Sequence, residues 1–292
     1  MQVTCGEKNH ESINEKMRNV FTESIPENFD QPIEGYRYGE EISISYESKL
    51  AGATKKMVVV LPANYDETKK YPVLYFLHGI FGTEQDWIKE NIKYVVQNLV
   101  EQNKACEMIL VSVDYYFAVG KPNLVRGFTD LKVYEAYDKF LKGLTEEIMP
   151  LLKQRFSVKE GRENTALIGF SLGGRECLYS MIKRPELFGG IGAFCPAPGL
   201  LEYTLTYIGT VHEDGLFNSR EEITLPDPYK KTTKIMIVKG NQDDVVKDHP
   251  KLYHELLAEN EVEHTYVEID GAHDLTTSKV GVYNFVQSLF ME

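Results

Sequence analysis

No apolar run in this 292-residue chain reaches the roughly 18 residues that a membrane-crossing helix needs, so a bilayer-spanning helix is excluded. The start also shows no short apolar core of a secretory leader. The cytoplasm is then expected, or, for an extracellular substrate, a native precursor that carries one. Positive charge is the scarcer sign: 32 Lys and Arg stand against 44 Asp and Glu, a net charge of −12. Nucleic acid and anionic membranes are repelled by such a balance, so neither is expected as a partner and a neutral substrate fits better. Cysteine is sparse. Cys5, Cys106, Cys177 and Cys195 show no metal or redox spacing, and Cys177 and Cys195 read as small buried apolar residues rather than a disulfide. There is no internal repeat, low-complexity tract or linker. The expectation is a polar N-terminal arm over 1–30 lying against one catalytic domain over 31–292, long enough to bury a large core.

What the chain does contain is an alternation of element types. Apolar strand-like runs at 57–61, 72–78, 108–114, 165–170, 189–195, 234–240 and 264–270 are interleaved with helical stretches at 88–103, 134–155, 172–183, 249–260 and 279–290. That order calls for an α/β fold, a mostly parallel sheet covered by helices on both faces. Residues 41–48 include Ile-Ser-Ile-Ser-Tyr, whose period of two reads as an antiparallel edge strand leading into 57–61.

The most informative stretch is Ala166 to Gly174, which carries an apolar strand into a Gly-x-Ser-x-Gly turn with a helix behind it. A bare match to that pattern arises by chance in many chains; the flanking strand and helix are the structural context it requires. Ser171 is then a candidate nucleophile. Gly169 and Gly173 remove side chains that would collide in so sharp a turn. The following helix, stopped at Pro185, would point its N-terminal amides at a developing oxyanion.

An α/β-hydrolase arrangement places an acid and then a histidine after the serine, each beyond the end of a strand. The run Lys234 to Lys239 leads into Gly-Asn-Gln-Asp-Asp, so Asp243 or Asp244 lies in the right loop. A helix follows, with Asp248 as its N-cap and Pro250 in its first turn, and then the strand ending in Asp270-Gly-Ala-His273. Of the seven histidines only His273 lies beyond the acidic loop at a strand end beside a glycine; His254 and His264 read as surface or packing residues. An earlier apolar strand, 71–78, runs into Gly79-Ile80-Phe81-Gly82. The N–H groups of Ile80 and Leu172 are the expected oxyanion donors. Asn241, Asp243, Asp244 and Asp248 lack the spacing of a calcium loop, so no cofactor or metal is expected.

Four segments together carry a family resemblance: Leu77 to Trp87, Gly169 to Gly174, Phe188 to Phe194 and Gly271 to Asp274. Their order and spacing resemble carbohydrate esterase family 1, most closely the feruloyl esterase domains associated with xylanases, over roughly 35–290. The resemblance implies the α/β-hydrolase fold and a serine esterase with Ser171, Asp243 and His273 as its triad. Family spacing favours Asp243 over Asp244. It also implies an ester-bearing carbohydrate or small-molecule ester as substrate, with hydroxycinnamoyl esters first. The alternatives are an acetyl xylan esterase or a sugar acyltransferase of the same fold, and, further off, a noncatalytic carbohydrate-binding module. Two features depart from the feruloyl pattern: Leu275, Thr276, Thr277 and Ser278 stand where aromatic residues often follow the histidine, and the 196–233 stretch is long and proline-punctuated, as a lid or pocket wall would be.

Tyr115, Tyr116 and Phe117 follow a strand at the catalytic edge of the sheet and, with Phe81, are candidates to stack on a cinnamoyl ring. Trp87, Phe128, Tyr203 and Tyr207 are further aromatic candidates.

Overall fold

The computed structural model describes residues 12–122, 131–205 and 211–290. Phe128 and Tyr207 lie outside these residues. Ten strands occur among them: β1 Glu41–Ser48, β2 Ala53–Val60, β3 Val73–Leu77, β4 Ile109–Val113, β5 Thr165–Phe170, β6 Gly190–Phe194, β7 Tyr203–Leu205, β8 Val211–Glu213, β9 Lys234–Gly240 and β10 Thr265–Ile269. Eight of them form one sheet in the order β1-β2-β4-β3-β5-β6-β9-β10, while β7 and β8 pair as a separate antiparallel hairpin. β2 is antiparallel to β1 and β4, and every other pairing in the large sheet is parallel. This is the α/β-hydrolase architecture.

The central strands are continuous apolar runs because both faces of the sheet are covered. In β3 alternate residues divide between two cores: Val73, Tyr75 and Leu77 enter one, Leu74 and Phe76 the other, none more than 2% exposed. Helix Leu172–Lys183 covers the first face with Cys177, Leu178 and Met181, and helix His249–Glu259 adds Tyr253, Leu256 and Leu257. The opposite face is closed by helix Ile92–Glu101 through Val95, Val96 and Leu99 and by helix Leu275–Val286 through Val282 and Phe285. Each such side chain contributes about 1.5–3 kcal/mol by leaving water. The parallel strands all end at one edge, where the loops after β3, β5, β6, β9 and β10 gather.

Several element boundaries differ from expectation for local reasons. The 134–155 stretch is a helix Leu131–Asp138, a turn Phe140–Gly143, a wide π turn Leu144–Ile148 and a helix Met149–Arg155. Pro150 supplies no N–H and its ring crowds the preceding turn, so the chain widens there. The last helix starts at Leu275 rather than 279, because the Asp274 carboxylate accepts the Thr277 N–H at 2.7 Å and caps it. The helix expected over 88–103 breaks at Asn91, whose φ of 62° is left-handed. Asp248 precedes helix His249–Glu259 without a capping bond, its carboxylate lying 3.3 Å from the Lys239 amine instead.

The segment before residue 30 carries helix Ile13–Val20, with Met17 in the second core. Its Asn14 side chain donates to the Thr233 and Glu263 carbonyls and accepts the Ile235 N–H, tying the helix to the amino ends of β9 and β10. Within 196–233, Leu200, Phe217, Ile223 and Leu225 are buried in the first core, so the described part of this stretch is anchored and is not a free lid.

Candidate active site

Ser171 stands between β5 and helix Leu172–Lys183 with φ 55° and ψ −119°, a conformation that side chains rarely adopt and that costs on the order of 1–3 kcal/mol. The surrounding backbone holds it there. Its N–H donates to the Phe194 carbonyl at 2.9 Å, and its own carbonyl accepts from Arg175 and Ala197 at 3.1 and 2.9 Å. The glycines are required by contact: a Cβ on Gly173 would lie 2.6 Å from the carbonyl oxygens of both Leu77 and His78.

The loops after β9 and β10 bring the other two residues to the serine. His273 Nε2 is 2.9 Å from Ser171 Oγ, and His273 Nδ1 is 2.7 Å from Asp243 Oδ2. An ionised carboxylate only accepts, so Nδ1 carries the proton and Nε2 presents its lone pair to the serine hydroxyl. The other carboxylate oxygen of Asp243 accepts the N–H groups of Val245 and Val246, each at 3.0 Å. Burial by itself raises the Asp243 pKa, but the hydrogen bond and charge of His273, together with those two amides, outweigh it and hold the carboxyl below its usual value. Asp244 is exposed to solvent. The His273 ring also packs against Phe170, centroids 4.7 Å apart.

The loop after β3 meets this group from the other side. The Gly79 carbonyl is gripped by His78 Nδ1 at 2.6 Å and by the Gly82 N–H at 3.1 Å. Accepting oxygen implies that Nδ1 carries the imidazole proton, and burial favours the neutral ring by lowering its pKa. Since the Gly79–Ile80 peptide is planar and trans, fixing its oxygen aims the Ile80 N–H in the opposite direction. Ile80 and Leu172 both line the cavity that opens over Ser171.

That cavity measures about 210 Å³ and is bounded by Ile80, Tyr134, Phe170, Ala197, Pro198, Tyr203, Val245 and Val246 around Ser171 and His273. A dry cavity of about 150 Å³ takes a benzene molecule, so this one has room for a substituted aromatic ring. Its aromatic walls are not those expected. Tyr115 and Phe117 are fully buried and lie outside it. The Tyr115 hydroxyl donates to the His78 carbonyl at 2.8 Å, and the Phe117 ring presses on Gly143, where a Cβ would come within 2.0 Å of it. Tyr116 packs on Tyr137 and Phe81 is half-buried; neither lines the cavity. Trp87 is a core residue whose indole donates to the Leu77 carbonyl. Of the aromatic candidates among the described residues, Tyr203 alone is a wall. Sequence reasoning passed over Tyr134, Phe170, Pro198, Val245 and Val246. Phe170 and Val245 could have been found from their adjacency to Ser171 and Asp243, whereas nothing in the local pattern singles out Tyr134.

His254, on helix His249–Glu259, and His264, immediately before β10, hydrogen-bond to one another at 2.7 Å, and neither lines the cavity. Cys195, Asp243 and His273 form the one group among the described residues whose possible metal-ligand atoms approach within 4.8 Å of one another. There the His273 proton already bridges to Asp243, and burial pushes the Cys195 thiol up, which keeps it protonated.

The Esterase family model matches residues 48–286. Among solved structures, the CE1 ferulic acid esterase from Anaeromyces mucronatus in complex with ferulic acid is 36% identical to this chain, with a TM-score of 0.84, covering 92% of this chain and 97% of that one. An endo-1,4-beta-xylanase/feruloyl esterase of Xylanibacter ruminicola is 29% identical over 170 residues, which are 55% of this chain but only 22% of that larger protein. An acetyl esterase of Caldicellulosiruptor saccharolyticus is 24% identical over 260 residues, 80% of this chain and 91% of that one.

Proposed function

The chain belongs to the Esterase family, and from that premise we propose that it is a serine ester hydrolase that releases hydroxycinnamic acids, ferulic acid first, from esters through an acyl-enzyme on Ser171. The observation that carries the reading is the unbroken path Asp243–His273–Ser171 at the floor of a mostly apolar cavity of aromatic-ring size. In this reaction His273 Nε2 takes the Ser171 proton as Oγ attacks the ester carbonyl. Asp243 keeps the imidazole in the useful tautomer and stabilises the imidazolium. Charge on the carbonyl oxygen is met by the Ile80 and Leu172 N–H groups; in related chemistry one such donor is worth about 3 kcal/mol. His273 returns the proton to the departing alcohol. Water, deprotonated by the same ring, then attacks the acyl carbonyl and frees Ser171.

The acyl group sits between Tyr134, Tyr203, Pro198 and Val245, and the alcohol side, a sugar of plant cell-wall polysaccharide such as xylan, leaves through the open mouth. That polysaccharide places the working enzyme outside the cell. One experiment tests the proposal at two levels. Wild type and Ser171→Ala are compared on methyl ferulate, methyl coumarate, acetylated xylan and a p-nitrophenyl acetate, with products analysed with and without an added sugar acceptor. The expected result is preference for the hydroxycinnamates, free acid as product, and a loss in Ser171→Ala of about 10⁵- to 10⁶-fold. More than about a tenth of wild-type activity in that variant would remove Ser171 from the reaction. Acetylated xylan as the best substrate would overturn the hydroxycinnamoyl assignment alone.

A further inference from the structure

The loop that carries Ile80 is braced from below by a buried cluster that the triad does not include. His78, Tyr115 and Tyr137 are all fully buried. The Tyr115 ring lies 4.6 Å from His78 and 5.0 Å from Tyr137, and its hydroxyl donates to the His78 carbonyl. Tyr137, on helix Leu131–Asp138 one turn beyond the cavity residue Tyr134, accepts the Phe81 N–H on its hydroxyl at 2.9 Å. That last bond meets the loop at its most strained point. The Gly82 N–H to Gly79 carbonyl bond closes a four-residue turn with Ile80 and Phe81 at its centre, and Phe81 has a φ of 65°. Positive φ at the third residue is a type II feature that ordinarily calls for glycine. A phenylalanine there gains from rotation of the Ile80–Phe81 peptide, which would bring its φ back to negative values. The hydrogen bond to Tyr137 opposes that rotation.

We propose that Tyr137, backed by Tyr115, is a positioning residue of the esterase reaction: its hydroxyl anchors the strained turn at the Phe81 N–H while the Tyr115 hydroxyl anchors the His78 carbonyl, and the two hold in place the Gly79–Ile80 peptide between them, whose N–H meets the substrate carbonyl oxygen. This rests on the reading of Ile80 as an oxyanion donor. Burial raises the pKa of both phenols, so both remain hydroxyls at the pH where an esterase works. The cluster also explains why Tyr115, at the catalytic edge, faces inward: it supports the loop that contacts the ester and does not touch the acyl ring.

The test is Tyr137→Phe, which keeps the ring and removes only the acceptor. With methyl ferulate, kcat is expected to fall about ten- to a hundredfold, less than or equal to the loss of a whole oxyanion donor. KM and the affinity for the product ferulate should stay within about twofold, because ground-state binding does not use the donor. Affinity for a trifluoromethyl ketone analogue, whose adduct carries the oxyanion, should fall by the same factor as kcat/KM. Replacing Phe81 with Gly in the Tyr137→Phe protein should recover part of kcat, since glycine holds positive φ without help. A kcat within twofold of wild type, or a parallel loss of kcat, product affinity and thermal midpoint, would overturn the proposal. Should Tyr137→Phe fail to fold, Tyr115→Phe reads the same division between kcat and product affinity. If Ser171→Ala is inactive while Tyr137→Phe is unaffected, only this inference fails; an active Ser171→Ala protein defeats the esterase reading of the site itself.

Discussion

Gly169 and Gly173 touch backbone to backbone: a Cβ on Gly169 would lie 2.1 Å from the Gly173 carbonyl oxygen. The strand that delivers Ser171 and the helix that leaves it are therefore packed at a distance no other residue type permits. Nothing flexible stands in the way that could yield, since the opposing atoms are main chain.

Gly169→Ala should accordingly damage both the fold and the site. Overpacking of this kind costs about 1–3 kcal/mol, and here relief requires β5 and the helix to separate. The expected outcome is a thermal midpoint several degrees lower together with at least a hundredfold loss of esterase activity. A variant with wild-type melting and turnover would show that the elbow tolerates a methyl group.

The two adjacent aspartates should separate cleanly. Asp243 bonds to His273 and is buried, whereas Asp244 faces solvent. Asp243→Asn should lower kcat by about 10⁴-fold, because the amide stabilises the wrong imidazole tautomer. Asp244→Asn should change it by less than about twofold. Steady-state kinetics on both variants, with circular dichroism to check folding, decide the matter, and the reverse ranking would give the role to Asp244.

Stability should fall as pH rises toward mildly alkaline values. Arg175 on the nucleophile's helix is buried and pairs with both Glu176 and Asp138, and one guanidinium cannot neutralise two carboxylates. Glu176, fully buried, is pushed up to about 8, first by burial and by Asp138, against the opposing pull of Arg175. The folded protein thus holds a proton that the unfolded chain releases near the ordinary value of 4.5. Between those values the native state binds more protons, so the contribution is fully present below 4.5 and is lost as pH rises through about 8. Glu176→Gln should flatten the decline of the melting temperature between pH 5 and 9. Equal slopes in the two proteins would refute it.

Acyl selectivity should follow Tyr134 and not the tyrosines after β4. Tyr134 lines the cavity beside Ser171, and an aromatic contact is worth about 0.5–1.5 kcal/mol beyond its buried area. Tyr134→Ala is expected to lower kcat/KM for methyl ferulate at least about fivefold more than for p-nitrophenyl acetate. Competition assays on the mixed esters measure the ratio directly; an unchanged ratio would remove Tyr134 from the acyl wall.

The eight strands of the large sheet, the elbow at Ser171, the acidic loop after β9 and the histidine after β10 were all legible in the amino-acid sequence. Each depends on something local: an apolar run, a glycine at a tight turn, or a place in chain order at the end of a parallel strand. The sequence also placed Asp243 and Asp244 in one loop, but adjacent residues in a turn face different ways, and only the packed turn after β9 sends Asp243 to His273. The aromatic wall shows the same division. Tyr115 and Phe117 lie at the catalytic edge as expected, yet helix Leu131–Asp138 and the turn Phe140–Gly143 close over them, while Tyr134, Pro198 and Val245 reach the cavity from three separate segments. Periodicity tells which residues turn away from water. Which of them then meet around a serine is settled by how distant segments fill one volume, and that contact energy has no signature in any single stretch of chain.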